Sequence, residues 1–175
     1  ELLGALLGAD KVGQQFSCTE FNSILGPANN SSKNFAAQPE AIAATKIALI
    51  GTGSTASASE LTGNAFIPYL GSDLALVGSN TYGKPVGQIA RDRSACDDRL
   101  RVMAFRTVNA DGGGDYYTGL ASVMPRTCAA TDDYLDQFGT TGEASTAAAL
   151  SFLSGGSCTA ISAAGTQRPL ARQRT

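Results

Sequence analysis

Histidine is absent from the whole chain. A serine nucleophile in this protein therefore has no imidazole to take its proton, and a lysine amine is the base left to it. Without histidine a zinc site would need all four cysteines as thiolates, and Cys18, Cys96, Cys128 and Cys158 show no C-x-x-C spacing. Charge is scarce too. Only 16% of residues are charged and the net charge is −2, which gives no electrostatic basis for binding nucleic acid or an anionic membrane. No apolar run approaches the length of a membrane span, and no signal peptide opens the sequence. The chain starts at Glu1 without methionine, so its natural beginning is expected to lie upstream.

What is there favours one globular domain. With 175 residues and 43% apolar side chains the chain can bury a sizeable core, expected over residues 1–165, followed by a basic tail over 166–175. An even count of scattered cysteines fits disulfides in an exported protein, whether periplasmic, lipoprotein-anchored or extracellular. Cys128 with Cys158 is the expected pair, and Cys18 with Cys96 follows by elimination. Four buried free thiols in a cytosolic protein are the alternative. Oligomeric state is left open, a homo-oligomer included.

The chemistry is expected between Gly53 and Gln88. Ile47 to Ile50 is short and apolar, Gly51 and Gly53 punctuate it, and Leu61, Ala65 and Phe66 recur at helical spacing up to Pro68. Ser57 thus falls at a helix N-terminus, where orphan N–H groups and the positive end of the helix dipole favour negative charge. Ala58 offers its backbone N–H as an oxyanion donor. The same four residues, Ser57 to Glu60, also match a capping box, in which Ser57 caps the helix and Glu60 reaches back to its N–H. Both readings stand at this point, and spacing excludes neither Ser54 nor Ser59 as the nucleophile.

Lys84 follows the apolar run Leu74 to Val77 and a turn through Gly83. To act as a base near pH 7 to 8 its amine, which titrates at about 10.4 when free, must be depressed by about three units, or about 4 kcal/mol, through burial and positive potential. Gln88 can hold such an amine without adding charge. A solvated turn is the plain alternative. Gly78 to Lys84 also fits the first seven positions of a phosphate-binding loop, but the eighth is Pro85, with neither hydroxyl nor backbone N–H. Nucleotide binding is therefore not expected.

TASASE, a helix, a short apolar strand ending in Gly78 and then TYGKPVGQ resembles the catalytic core of the tail-specific, or C-terminal-processing, serine peptidases. The resemblance implies a ClpP/crotonase-like α/β core, with a small, mostly parallel sheet flanked by helices. It also implies a dyad of Ser57 and Lys84 assisted by Gln88, with no cofactor and no metal. Two features depart from the family pattern. The interval from Ser57 to Lys84 is longer than in its best-known members, and no glycine-rich D-x-R-x-N-x-G-G segment precedes the serine, as if the chain were a fragment cut just downstream of it.

Elsewhere the pattern predicts a helix over Glu1 to Ala9 with its leucines on one face, a strand over Phe16 to Phe21 and a surface loop from Gly26 to Lys33. A charged loop is expected from Ile89 to Arg99, a strand from Leu100 to Val108 and a turn at Asp111 to Asp115, with Tyr116 and Tyr117 at a sheet rim. Helices are expected over Asp132 to Phe138 and over Glu143 to Leu153, the latter with a stripe of Ala144, Ala147, Leu150 and Leu153. Three functions follow: a peptidase taking a peptide or protein substrate, a peptide- or ligand-binding module on the same scaffold, and a Ser-Lys hydrolase of small amides or esters.

Overall fold

A computed structural model describes residues 1–162, so the expected basic tail and the last residues of the expected domain lie outside the described residues. In chain order the elements are α1 (Leu2–Leu7), β1 (Gln15–Phe21), β2 (Ser31–Asn34), β3 (Ile47–Gly51), α2 (Ala58–Leu70), β4 (Leu74–Gly78), β5 (Val86–Arg93), β6 (Asp98–Val108), β7 (Arg126–Ala129) and α3 (Ala144–Leu153). The fold is mixed α/β. A parallel sheet of order β3-β4-β7 forms as expected, and beside it stands an antiparallel sheet of order β2-β1-β6-β5 that the sequence reading did not foresee.

The parallel sheet is covered on both faces. Leu74 and Leu76 of β4 enter a cluster with Phe16, Phe35, Phe66, Tyr116 and Leu120, while Ala75 and Val77 enter a smaller one with Cys128, Ala149 and Phe152. A strand buried on both sides reads as an unbroken apolar run, which is why Leu74 to Val77 stood out. In register, Gly51 lies opposite Gly78 and Gly78 opposite Ala129. All three strands therefore end on one rim, and the loops leaving that rim are where an α/β sheet presents ligand-binding groups.

The helix α2 runs past Pro68, where the sequence reading had stopped it, and ends at Leu70. Proline has no N–H for the carbonyl four residues back. That carbonyl belongs to Asn64, and the side-chain amide of Asn109, just after β6, donates to it at 3.1 Å. A partner from outside the helix thus replaces the missing bond.

Other corrections have equally local causes. In α1 the buried face is Gly4 and Ala5, with Leu2 and Leu3 exposed, because the ring of Phe16 lies on Gly4 and that of Phe35 on Gly8 and a side chain there would strike them. Ser31–Asn34, whose first three residues fall in the loop expected from Gly26 to Lys33, is an exposed strand paired with β1. The charged segment from Ile89 onward forms a hairpin, in which Asp92 and Arg99 face each other across strands and pair at 2.6 Å. Tyr116 is fully buried rather than at a rim, and Tyr117 is exposed. No helix forms over Asp132 to Phe138. The Asp133 carboxylate there accepts the N–H of Leu135 at 3.0 Å, a local turn that competes with helix, and Tyr134, Leu135 and Phe138 are exposed, without packing partners among the described residues.

The late helix α3 buries Ser145, Ala149 and Phe152 in place of the expected alanine and leucine stripe. Glu143 caps it, accepting from the N–H groups of Ser145 and Thr146 at 2.8 and 2.7 Å. The Thr146 hydroxyl, followed by those amides, holds the Glu143 carboxyl down at about 2 against its ordinary 4.5. A depressed carboxyl adds stability that is complete above its unfolded value and is lost as pH falls through the folded one. The difference in melting temperature between the natural protein and Glu143→Gln is therefore expected to be constant above about pH 5. It should shrink steadily between pH 4.5 and 2, read by thermal denaturation across that range.

The Cys128–Cys158 disulfide forms as expected and staples the end of β7 to the segment after α3, a constraint worth about 3 to 4 kcal/mol by loop-closure entropy. Cys18 and Cys96 do not pair and are free. Cys18 lies opposite Val108 and Cys96 lies in the hairpin turn beyond Asp98, so the length of β6, about 33 Å at about 3.3 Å per residue, separates them. Among the described residues no helix is long and apolar enough to cross a membrane.

Candidate active site

Ser57 sits where β3 hands over to α2. The chain leaves Gly51 through a Thr52–Thr55 turn, closed by the Thr55 N–H on the Thr52 carbonyl at 2.9 Å, and enters the helix at Ala58. Ser57 itself has φ 55 and ψ −110, and it is one of two non-glycine residues with positive φ among the described residues. A side chain in that region costs about 1–3 kcal/mol, and such strain is kept where the surroundings over-determine it. The residue is exposed, on the rim of the parallel sheet. Ala58 is also exposed and, as the first residue of α2, has no acceptor within the helix for its N–H.

Lys84 ends the loop that leaves β4. Gly83 precedes it with φ 87, and a Cβ at Gly83 would strike the backbone of Tyr117 and Gly119, so the turn admits only glycine. Lys84 is half-buried, and its amine forms no salt bridge among the described residues. Gln88 lies on β5, exposed, at the bulge where the pairing with β6 shifts register.

One buried carboxylate joins the two loops. Glu60, in the first turn of α2, has no solvent exposure. Its Oε2 accepts the N–H of Ser57 at 2.9 Å and the N–H of Lys84 at 2.8 Å, so a single atom bridges the two backbones. Its Oε1 accepts the Thr81 hydroxyl at 2.6 Å and the Gly83 N–H at 2.7 Å. Thr81 Oγ1 in turn accepts the N–H of Leu120 at 2.8 Å, anchoring the group in the core. A second tie runs from the N–H of Tyr82 to the carbonyl of Thr55 at 2.9 Å.

The backbones of Ser57 and Lys84 are thus brought together, while no hydrogen bond runs from Ser57 to the Lys84 amine or from that amine to Gln88 among the described residues. The capping contact of Glu60 on Ser57 is real and coexists with the strained serine. What the sequence reading missed is the rest of the Glu60 network. Its only signal was an acidic residue three positions after a serine at a helix start, and burial is not visible in that spacing. The N–H groups of Gly83 and Lys84, which a phosphate-binding loop would offer to a phosphate, are here taken by the chain's own carboxylate.

No family model matches the chain, and no curated protein matches it. Among solved structures it is similar to a protein of Bacteroides fragilis, a provisionally assigned S41 protease, at 25% identity and a TM-score of 0.71. The match covers 88% of this chain and 40% of that one, so this chain spans less than half the length of its neighbour. In fold and, at that identity, in sequence, the likeness is to the S41 proteases, the tail-specific family.

Proposed function

We propose that the protein is a serine peptidase of the tail-specific type, cutting peptide bonds in unfolded or C-terminal segments. Ser57 Oγ attacks the scissile carbonyl, the Lys84 amine takes the hydroxyl proton and passes it to the leaving amine, and water then releases the acyl group by the same route. The Ala58 N–H and the N-terminus of α2 face the developing oxyanion, and Gln88 orients the lysine. The observation that carries this reading is the shared Glu60 oxygen, which holds a strained serine and a lysine-bearing turn on adjacent rim loops. The likeness to an S41 protease supports it, and the disulfide supports an exported protein.

The substrate enters as an added strand. β5 begins two residues after Lys84 and is the last strand of its sheet, so its outer edge offers backbone hydrogen bonds with little sequence demand. A second reading, a binding module without turnover, is favoured by the absence of a side-chain hydrogen bond from Lys84 to Ser57 or Gln88 among the described residues. A fluorophosphonate probe separates the two. Labelling of Ser57 that is lost in Lys84→Ala supports the peptidase, and no labelling of the folded protein supports the binding module. A panel of peptides beside small esters and amides separates the peptidase from a small-molecule hydrolase.

A further inference from the structure

The loop between β7 and α3, residues 130–142, has no regular structure and leaves the same rim as the Ser57 and Lys84 loops. Its foot is firm. The N–H of Ala130 donates to the carbonyl of Gly78 at 3.0 Å, Cys128 is disulfide-bonded just before it, and the buried Glu143 cap closes it. Its crest is bare. Tyr134, Leu135 and Phe138 are 88%, 98% and 70% exposed, three large apolar side chains within five residues. Clustered exposed apolar side chains mark interaction surfaces, and loops of this length without structure of their own are uncommon in compact domains except where they bind or link.

Its charge says what the group meets. The loop holds Asp132, Asp133 and Asp136 and no lysine or arginine. An anionic lipid surface would be repelled by it, whereas a polypeptide with basic residues among apolar ones satisfies both features at once. Tyr82, 58% exposed, lies in the loop that carries Lys84 and leaves the same rim.

We propose that residues 130–142 form a docking surface for cationic, apolar stretches of polypeptide, delivering them to the rim where Ser57 and Lys84 lie. Delivery rests on the peptidase reading; docking itself does not. Binding is therefore measured on the Ser57→Ala protein, in which cleavage plays no part, so that its outcome is separate from that of the labelling experiment. Three fluorescent twelve-residue peptides serve as probes: one of alternating lysine and leucine or phenylalanine, one with glutamate in place of lysine, and one with serine in place of the apolar residues.

The first peptide is expected to bind at least about tenfold more tightly than either of the others, with an advantage over the glutamate peptide that falls as salt rises from 0.05 to 0.5 M. Replacing Tyr134, Leu135 and Phe138 together by serine should remove that affinity. Asp132→Asn with Asp136→Asn should remove its salt dependence. Asp133 is left in place because it holds the Leu135 N–H. Equal binding of the glutamate peptide, or full affinity in both variants, overturns the proposal. So does binding to vesicles of phosphatidylcholine and phosphatidylglycerol that the triple serine variant loses, which would make the crest a lipid-binding element.

Discussion

Glu60→Ala is expected to be the most damaging single substitution in the protein. It strips the acceptor from four donors at once, the N–H groups of Ser57, Gly83 and Lys84 and the hydroxyl of Thr81, in a place without solvent access. A loss of about 3–5 kcal/mol follows from leaving several buried donors unpaired, a large part of the whole stability of a domain. Glu60→Gln is the informative partner. The amide keeps the shape but turns one acceptor into a donor. If its oxygen serves Ser57 and Lys84, its NH₂ faces the Thr81 hydroxyl, which can rotate to accept, and the Gly83 N–H, which cannot. One unpaired N–H costs about 1–3 kcal/mol, and at about 2–4 °C per kcal/mol for a chain of this size the melting temperature falls accordingly. On the peptidase reading, turnover of the folded Gln variant is expected to fall about a hundredfold, because the two loops lose their common anchor and small misplacements of reacting groups are expensive. A Gln variant that melts and turns over like the natural protein would remove Glu60 from its role.

Ser57 should separate stability from activity. Ser57→Ala and Ser57→Gly both remove the proposed nucleophile, and on the peptidase reading each is expected to lower turnover by about 10³-fold or more. Their melting temperatures should differ. Alanine keeps a Cβ at φ 55, whereas glycine adopts that region without penalty. The relief, about 1–3 kcal/mol, outweighs the roughly 0.4–1 kcal/mol that glycine's freedom in the unfolded chain costs. With a central net gain of about 1 kcal/mol, the glycine variant is expected to melt about 2–4 °C above the alanine variant. Equal melting temperatures would mean that the strain at Ser57 is no larger than the roughly 0.4–1 kcal/mol that glycine's freedom costs.

The parts of this architecture that could be read from the sequence are those whose neighbours lie nearby along the chain. β3, α2 and β4 announce themselves because a doubly covered parallel strand is apolar throughout and the helix between keeps its period. The hairpin of β5 and β6 does not. Its outer half is wet on both faces, so Arg91, Asp92, Arg93 and Arg99 read as a loop, and only their cross-strand pairing, which no single strand encodes, makes them a sheet. Leu2 and Leu3 misled for the opposite reason, since the rings of Phe16 and Phe35 choose the glycine face of α1 and such rings arrive from far along the chain. At the site, Ser57 and Lys84 were legible as residue types in a spacing. The fourfold coordination of Glu60 was not, because Thr81 and Gly83 carry no mark of the carboxylate they bind.

Pro68 has a consequence for how the molecule assembles. A helix containing it cannot finish its own ladder, so the last turn of α2 waits for the amide of Asn109, which belongs to the end of the antiparallel sheet. A peptide of Ala58–Leu70 alone would fray at its C-terminal turn, and the helix that presents the serine becomes complete only when a distant strand has been laid down beside it. That one bond, worth about 1 kcal/mol, ties the serine-bearing layer to the antiparallel sheet, so each is steadier in the presence of the other.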